Sequence, residues 1–327
     1  MKKILTIFFT MVLMVSCGMK KAETNGQKIK ERITIVLDWV PNTNHTGLFV
    51  AKEKGYFDEY GLDVEIVQPP EGSSAQLIGT GKAQLGISFQ DTLAKYFAAK
   101  EKLPVTAIAT ILQHNTSGLV SLKNKNITSF KDLEGKTYGT WEDPIEQAVI
   151  KKLMKDEGAN FEKVNVIPYS WDVLKALKTD TDATWIFYGW DGIALKNAGF
   201  EFNFLDVKVA PELDYYTPVI IANNYFLSNN EENVTNLLKA IEKGYMYAIE
   251  NVEESVDILL KEAPELDRNL VLESQKWLND YYVDKGVKWG HIDSGRWNTF
   301  YTWLFNNGLL ENPIEKDFGF TNKYLGE

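Results

Sequence analysis

The decapeptide Asp38-Trp39-Val40-Pro41-Asn42-Thr43-Asn44-His45-Thr46-Gly47 constrains this chain more than any other stretch. Before it, residues 33–37 form a short apolar run rich in β-branched side chains. After it, residues 48–55 read as a helical stretch stopped by glycine. The decapeptide is therefore a strand-to-helix corner, and Pro41 with the Asn and Thr residues favours a turn and a capped helix start. A cap needs one polar side chain, whereas this corner offers a carboxylate, an indole, two amides and an imidazole. Corners at the carboxyl ends of strands are where open α/β sheets bind ligands.

The same plan recurs along the chain. Strands are expected at residues 62–67, 84–88 and 105–112, with helices at 74–80 and 92–100 between them. A further strand at 118–122 leads into a second unit with strands at 137–140, 164–167 and 182–187 and helices at 145–157 and 171–177. Such alternation predicts βαβ units and parallel sheets, an α/β fold. Residues 216–222 form a strong β run in which Pro218 marks an edge or a crossing. Beyond residue 230 the pattern is helical, at 231–250, 252–263, 267–282 and 294–306. Helices massed after two α/β units imply that the chain returns to cover the first, through crossings near 115–119 and 213–218.

The chain opens with Lys2-Lys3, an apolar run over residues 4–15, then Ser16-Cys17-Gly18. A charged start and a short apolar run make residues 1–16 a signal peptide. Cys17, the sole cysteine among the 327 residues, stands where the lipobox of bacterial lipoproteins places its lipidated cysteine, which the segment resembles. A lone cysteine leaves no disulfide to form. Residues 20–31 are polar and read as a tether, so residues 17–31 form a lipidated, flexible lead. The net charge of −10 opposes nucleic-acid binding, which needs Lys and Arg against phosphate.

Four corners gather chemistry at predicted strand ends: 38–45, 88–91, 140–146 and 187–191. They hold aromatic rings at Trp39, Phe89, Trp141, Tyr188 and Trp190, and carboxylates at Asp38, Asp91, Glu142, Asp143, Glu146 and Asp191. Ser88 and Gln90 belong to the second corner, Asn42 and His45 to the first. If the two units face each other, these groups line one cleft. Flat walls favour a planar ring, and carboxylates favour an exocyclic amine or a protonated ring nitrogen. A phosphate or sulfonate would be repelled. Trp185 lies within a strand and reads as core; Trp277, Trp297 and Trp303 read as packing in the helical tail, while Trp171 fits either reading. Glu146, on the first turn after Pro144, suits a helix dipole as well as a ligand. His45, His114 and His291 lack ligand spacing, so no metal and no cofactor are expected.

The first corner, followed by Ala51-Lys52-Glu53-Lys54-Gly55-Tyr56-Phe57 and Gly61-Leu62-Asp63-Val64, resembles the thiamine-pyrimidine-precursor family. Gly81-Lys82-Ala83-Gln84-Leu85-Gly86, Asp132-Leu133-Glu134-Gly135-Lys136 and the run from Ala183 to Gly192 extend the likeness over residues 33–260. That family includes solute-binding lipoproteins of ABC importers for formylaminopyrimidine-type precursors, and fungal thiamine-pyrimidine synthases. The resemblance implies a type II periplasmic-binding-protein fold: lobe 1 from residues 32–118 and 214–327, lobe 2 from 119–213, closing by a hinge. It implies an aminopyrimidine ligand, an ABC permease and ATPase as partners, membrane attachment through Cys17, and a monomer outside the cytoplasm. Trp39, Asn42 and Glu146 match the family's ligand-contacting positions. On that pattern Trp39 and Trp190 would sandwich the ring, Glu146 and Asp38 would take its amino and ring nitrogens, and Asn42 and His45 would orient its substituent. The enzyme branch uses a lysine carrying pyridoxal phosphate and a consumed histidine; residues 86–94 contain neither, and Ser88 and Asp91 stand about there. A binder of another flat heterocycle, flavin-like, is the nearest alternative; an alkanesulfonate binder is opposed by the acids.

Overall fold

The computed structural model describes residues 31–69, 73–169, 172–179 and 181–326. The leader, Cys17, most of the tether and Trp171 lie outside the described residues. Among the described residues, ten strands form two five-stranded sheets. They are β1 (Glu31–Val36), β2 (Leu62–Val67), β3 (Leu85–Ser88), β4 (Val105–Thr110), β5 (Ser117–Leu122), β6 (Thr137–Thr140), β7 (Asn165–Pro168), β8 (Ala183–Phe187), β9 (Phe202–Asp206) and β10 (Val219–Asn223). β1 begins at Glu31, the last residue of the segment read from sequence as a tether.

The first sheet runs β2-β1-β3-β10-β4 and the second β7-β6-β8-β5-β9. β1 pairs in parallel with β2 and β3, and β6 with β7 and β8. The expectation of wholly parallel sheets is corrected at one strand in each. β10 runs antiparallel to β3 and β4, and β5 antiparallel to β8 and β9. Each of these strands enters its sheet straight from a crossing, at residues 111–116 for β5 and 207–218 for β10, so no crossover helix turns it parallel. β9 is an addition to the strands read from sequence.

Burial follows the pleat. In β10, Ile220 and Ala222 face one core of the first sheet, and Val219 and Ile221 face the other. The first of these cores is covered by helices Thr46–Glu53, Glu231–Glu250, Val252–Glu262 and Arg268–Tyr282. The second is covered by helices Gln90–Ala98 and Ser294–Asn306, with Trp297 fully buried and Trp303 partly so. Trp185 is buried in the core of the second sheet with Tyr138, Val149 and Ile150, and Trp277 lies partly buried against the first sheet's core. The tail does more than cover the first sheet. Helix Arg268–Tyr282 also reaches the corner after β8, where the Ser274 hydroxyl donates to the Gly189 carbonyl.

Candidate functional site

The corner after β1 is held by its own polar groups. Asn42 caps the short 3-10 turn Thr43–His45, its side chain accepting from the Asn44 N–H at 2.9 Å. The Asn42 N–H donates back to His45 Nδ1 at 3.2 Å. With Nδ1 accepting, the neutral ring carries its proton on Nε2 and donates to Asp38 Oδ1 at 2.7 Å. His45 is fully buried with both nitrogens engaged. Both ring nitrogens of this residue, expected to orient a ligand substituent, are thus engaged within the corner. Trp39 stands half exposed beside it.

A ladder of rings joins the two sheets. Phe89, just after β3, stacks on Phe187 at the end of β8, with centroids 6.0 Å apart and planes 17° from parallel. Phe187 stacks in turn on Trp141, just after β6, at 6.0 Å and 27°. Trp141 also leans on Trp185 at 6.4 Å. Trp190 packs against the core of the first sheet. With Asn42, Thr43, Asn44, Thr116, Phe187 and Gly189 it lines a small recess where the corners of the two sheets meet. Trp190 thus lines this region, and the ring that joins the corners is Phe187, stacked with both Phe89 and Trp141. Tyr188, also expected at the ligand, packs on Phe204 at 4.9 Å and Trp277 at 5.0 Å.

Three carboxyl groups around the ladder are held above their ordinary range. Asp91 is pushed up to about 6, chiefly by burial, with the Asp143 charge from the second sheet adding to the rise. Its Oδ1 accepts from the Thr92 N–H at 2.7 Å, and the Tyr215 hydroxyl lies 3.4 Å from Oδ2. Asp191 is pushed up to about 6 by burial while accepting from the Phe187 N–H at 3.1 Å. Burial also raises Glu146, against the pull of the groups that donate to it. Those donors are the Tyr138 hydroxyl, the Thr140 hydroxyl at 3.0 Å and the Trp141 N–H at 3.0 Å. Glu146 therefore organises the corner after β6, whatever else it meets. Asp143 caps helix Pro144–Asp156 by accepting from Ile145 and Glu146 N–H.

The other sequence candidates divide. Ser88 is buried at the end of β3. Gln90 is fully buried, donating to the Trp297 carbonyl at 2.9 Å and accepting from the Tyr216 N–H at 2.9 Å, so both ends of its amide are engaged within the fold. Glu142 takes a left-handed backbone, φ 64°, and its side chain is exposed. Sequence reasoning passed over Phe187, Tyr138 and Tyr215. The first two sit in β strands where an aromatic reads as core, and Tyr215 lies in a crossing without periodicity.

The profile of the family described as "NMT1/THI5 like" matches residues 42–255. The chain belongs to this family. One relative, the "Formylaminopyrimidine-binding protein" of Halalkalibacterium halodurans, is 27% identical over 98% of this chain and 98% of its own. A "4-amino-5-hydroxymethyl-2-methylpyrimidine phosphate synthase" of Saccharomyces cerevisiae, THI11, is 27% identical over 90% of this chain and 88% of its own. Among solved structures, the alkanesulfonate-binding protein SsuA of Xanthomonas axonopodis superposes with a TM-score of 0.67 at 11% identity, covering 89% of this chain and 98% of that one. The Escherichia coli aliphatic sulphonate-binding SsuA gives 0.68 at 13%, covering 87% and 90%. At such identities the likeness establishes the fold: this NMT1/THI5-like chain has the two-lobed type II periplasmic-binding-protein architecture, with one sheet in each lobe.

Proposed function

We propose that this chain is the substrate-binding lipoprotein of an ABC importer and captures an aminopyrimidine precursor of thiamine. A solute-binding role is supported by the relative named for binding formylaminopyrimidine, which aligns over nearly the full length of both chains. The observation that carries the finer reading is the Phe89–Phe187–Trp141 ladder flanked by Asp91 and Asp191. A flat ring extends such a ladder, each stacked pair contributing about 1 kcal/mol beyond burial. A buried carboxylate whose charge the surroundings disfavour gains most from a bound amine or ring N–H, because the charge-assisted bond is roughly twice as strong as a neutral one. A sulfonate, the ligand class for which the two SsuA proteins are named, would face these same acids.

On this reading lobe 1 comprises residues 32–118 and 214–327 and lobe 2 residues 119–213. Asp38, Trp39, Asn42, Ser88, Phe89, Asp91, Trp141, Glu142, Glu146, Trp190 and Asp191 supply the ligand's surroundings. Cys17 carries the lipid that holds the protein at the outer side of the membrane, beside its permease and ATPase. Among the described residues no helix is long and apolar enough to cross a membrane. Titration calorimetry with hydroxymethyl- and formylaminomethyl-pyrimidine is the test. Saturable heat with either supports the reading; no heat with both in large excess overturns it.

The synthase relatives motivate the second reading, an enzyme. Residues 86–94 hold no lysine or histidine to serve the chemistry that the resemblance implies for that branch. Adding pyridoxal phosphate should give no Schiff-base absorbance; a lysine adduct would revive the enzyme.

A further inference from the structure

The two crossings run side by side and are bonded to each other. The Ile111 N–H donates to the Pro218 carbonyl at 3.0 Å, and the Asn115 side-chain amide to the Leu213 carbonyl at 3.0 Å. Asp214 on the second crossing accepts from the Asn115 N–H through Oδ1 at 2.9 Å. Any rotation of one lobe against the other must bend both segments. His114 sits on the first of them. Its Nδ1 is 2.7 Å from Asp214 Oδ2, and its Nε2 is 3.1 Å from Asp284 Oδ2. Asp284 belongs to the segment that follows helix Arg268–Tyr282, the helix that touches lobe 2 through Ser274.

Both partners of the ring are carboxylates, and an ionised carboxylate only accepts. A neutral imidazole has one N–H to give, so both contacts are hydrogen bonds only when the ring is protonated. Without the second proton, a ring lone pair faces a carboxylate lone pair. The charged groups acting on His114 are Asp214, Asp284 and the guanidinium of Arg296, whose Nε lies 3.7 Å from Asp214 Oδ2. The bond to Asp214 raises His114 above its ordinary value, and burial and Arg296 oppose that rise. Asp214 is held below the usual carboxylate range by His114 and Arg296, so it stays an acceptor. Arg296 also donates to the Gln113 carbonyl and lies over the Tyr216 ring, which ties helix Ser294–Asn306 to both crossings.

We propose that His114 is a proton-operated clamp on the hinge: charged, it ties the crossings to the C-terminal segment and favours this arrangement with the lobes in contact; uncharged, it releases one leg and lets the lobes part. The clamp is separate from the ligand's surroundings and operates whatever the ligand is.

The test is small-angle X-ray scattering of the purified full chain without added ligand over a pH series with ends at pH 6.5 and pH 9, beside His114→Gln and Asp284→Asn, with circular dichroism to confirm folding. The radius of gyration of the parent should rise with pH, and His114→Gln should give one value at both. Asp284→Asn keeps the ring but removes a charge that holds its proton, so its rise should come at lower pH. An unchanged radius in the parent overturns the clamp, as does an equal rise in His114→Gln. Should His114→Gln fail to fold, Asp284→Asn decides alone: a lowered midpoint supports the clamp, and a midpoint equal to the parent's overturns it.

Discussion

Asp91 carries opposite consequences for stability and for binding. Its carboxyl rises from 3.8 in the open chain to about 6 in the folded one. Between those values the folded chain holds the proton more tightly than the unfolded chain, so stability falls as pH rises through that window. Below about 4 the group contributes nothing, and above about 6 the full cost of the buried charge is present. Asp91→Asn should therefore be more stable than the parent at pH 7.5, by on the order of 1–3 kcal/mol in urea unfolding, and equal to it at pH 3.5. The same variant should bind an aminopyrimidine more weakly at pH 7.5. A loss of both stability and affinity would mean that Asp91 is structural. The first corner shows the contrasting case. His45→Ala leaves the Asn42 N–H and the Asp38 carboxylate without their buried partner, and should cost about 1–3 kcal/mol of unfolding free energy. Trp39→Ala, at a half-exposed ring, should leave stability within about 0.5 kcal/mol and affect the ligand alone.

Helix Thr46–Glu53 positions this corner, and it does so by lying unusually close to helix Glu231–Glu250. A Cβ at Gly47 would sit 2.3 Å from the Tyr245 ring, and one at Gly244 would sit 2.1 Å from the Gly47 carbonyl oxygen. The Tyr245 hydroxyl then reaches the Asn44 carbonyl at 2.6 Å, and Tyr282 on helix Arg268–Tyr282 reaches the Thr43 carbonyl at 2.6 Å. Two helices of the C-terminal tail thus brace a loop near the start of the chain. Gly47→Ala should push these helices apart, costing about 1–3 kcal/mol in denaturant unfolding and weakening ligand binding without touching a ligand contact. Gly47 is legible in the sequence as part of the corner. Its partner Tyr245 is not, since a tyrosine within a long amphipathic helix carries no mark of what it packs against.

At the scale of the whole molecule, corners at the strand ends of the two sheets meet through a few residues, among them Phe89, Phe187 and Trp141, and a ligand seated there would act on that meeting. A ligand that binds only the folded, closed chain adds about 2.7 kcal/mol of stability at a hundredfold excess over its dissociation constant. A thermal-shift series with hydroxymethyl-pyrimidine should show a concentration-dependent rise, absent in a variant carrying Asp91→Asn and Phe187→Ala. The α/β class, nine of the ten strands and the long tail helices follow from periodicity and turn residues, because hydrophobic spacing and capping are local properties. So does the existence of polar, aromatic corners at strand ends. Local pattern could not reveal that β5 and β10 run antiparallel, since strand direction depends on which sheet receives the chain after a crossing. Nor could it tell that His45 and Gln90 are hydrogen-bonded within the fold, that Tyr188 packs on Phe204 and Trp277, or that Phe187 bridges Phe89 and Trp141. The amino-acid order by itself determined where the chain turns and what chemistry each turn carries. Only the tertiary structure decided which of those groups meet, because burial and pairing join residues distant in the chain and exhaust some side chains on one another before any solute arrives.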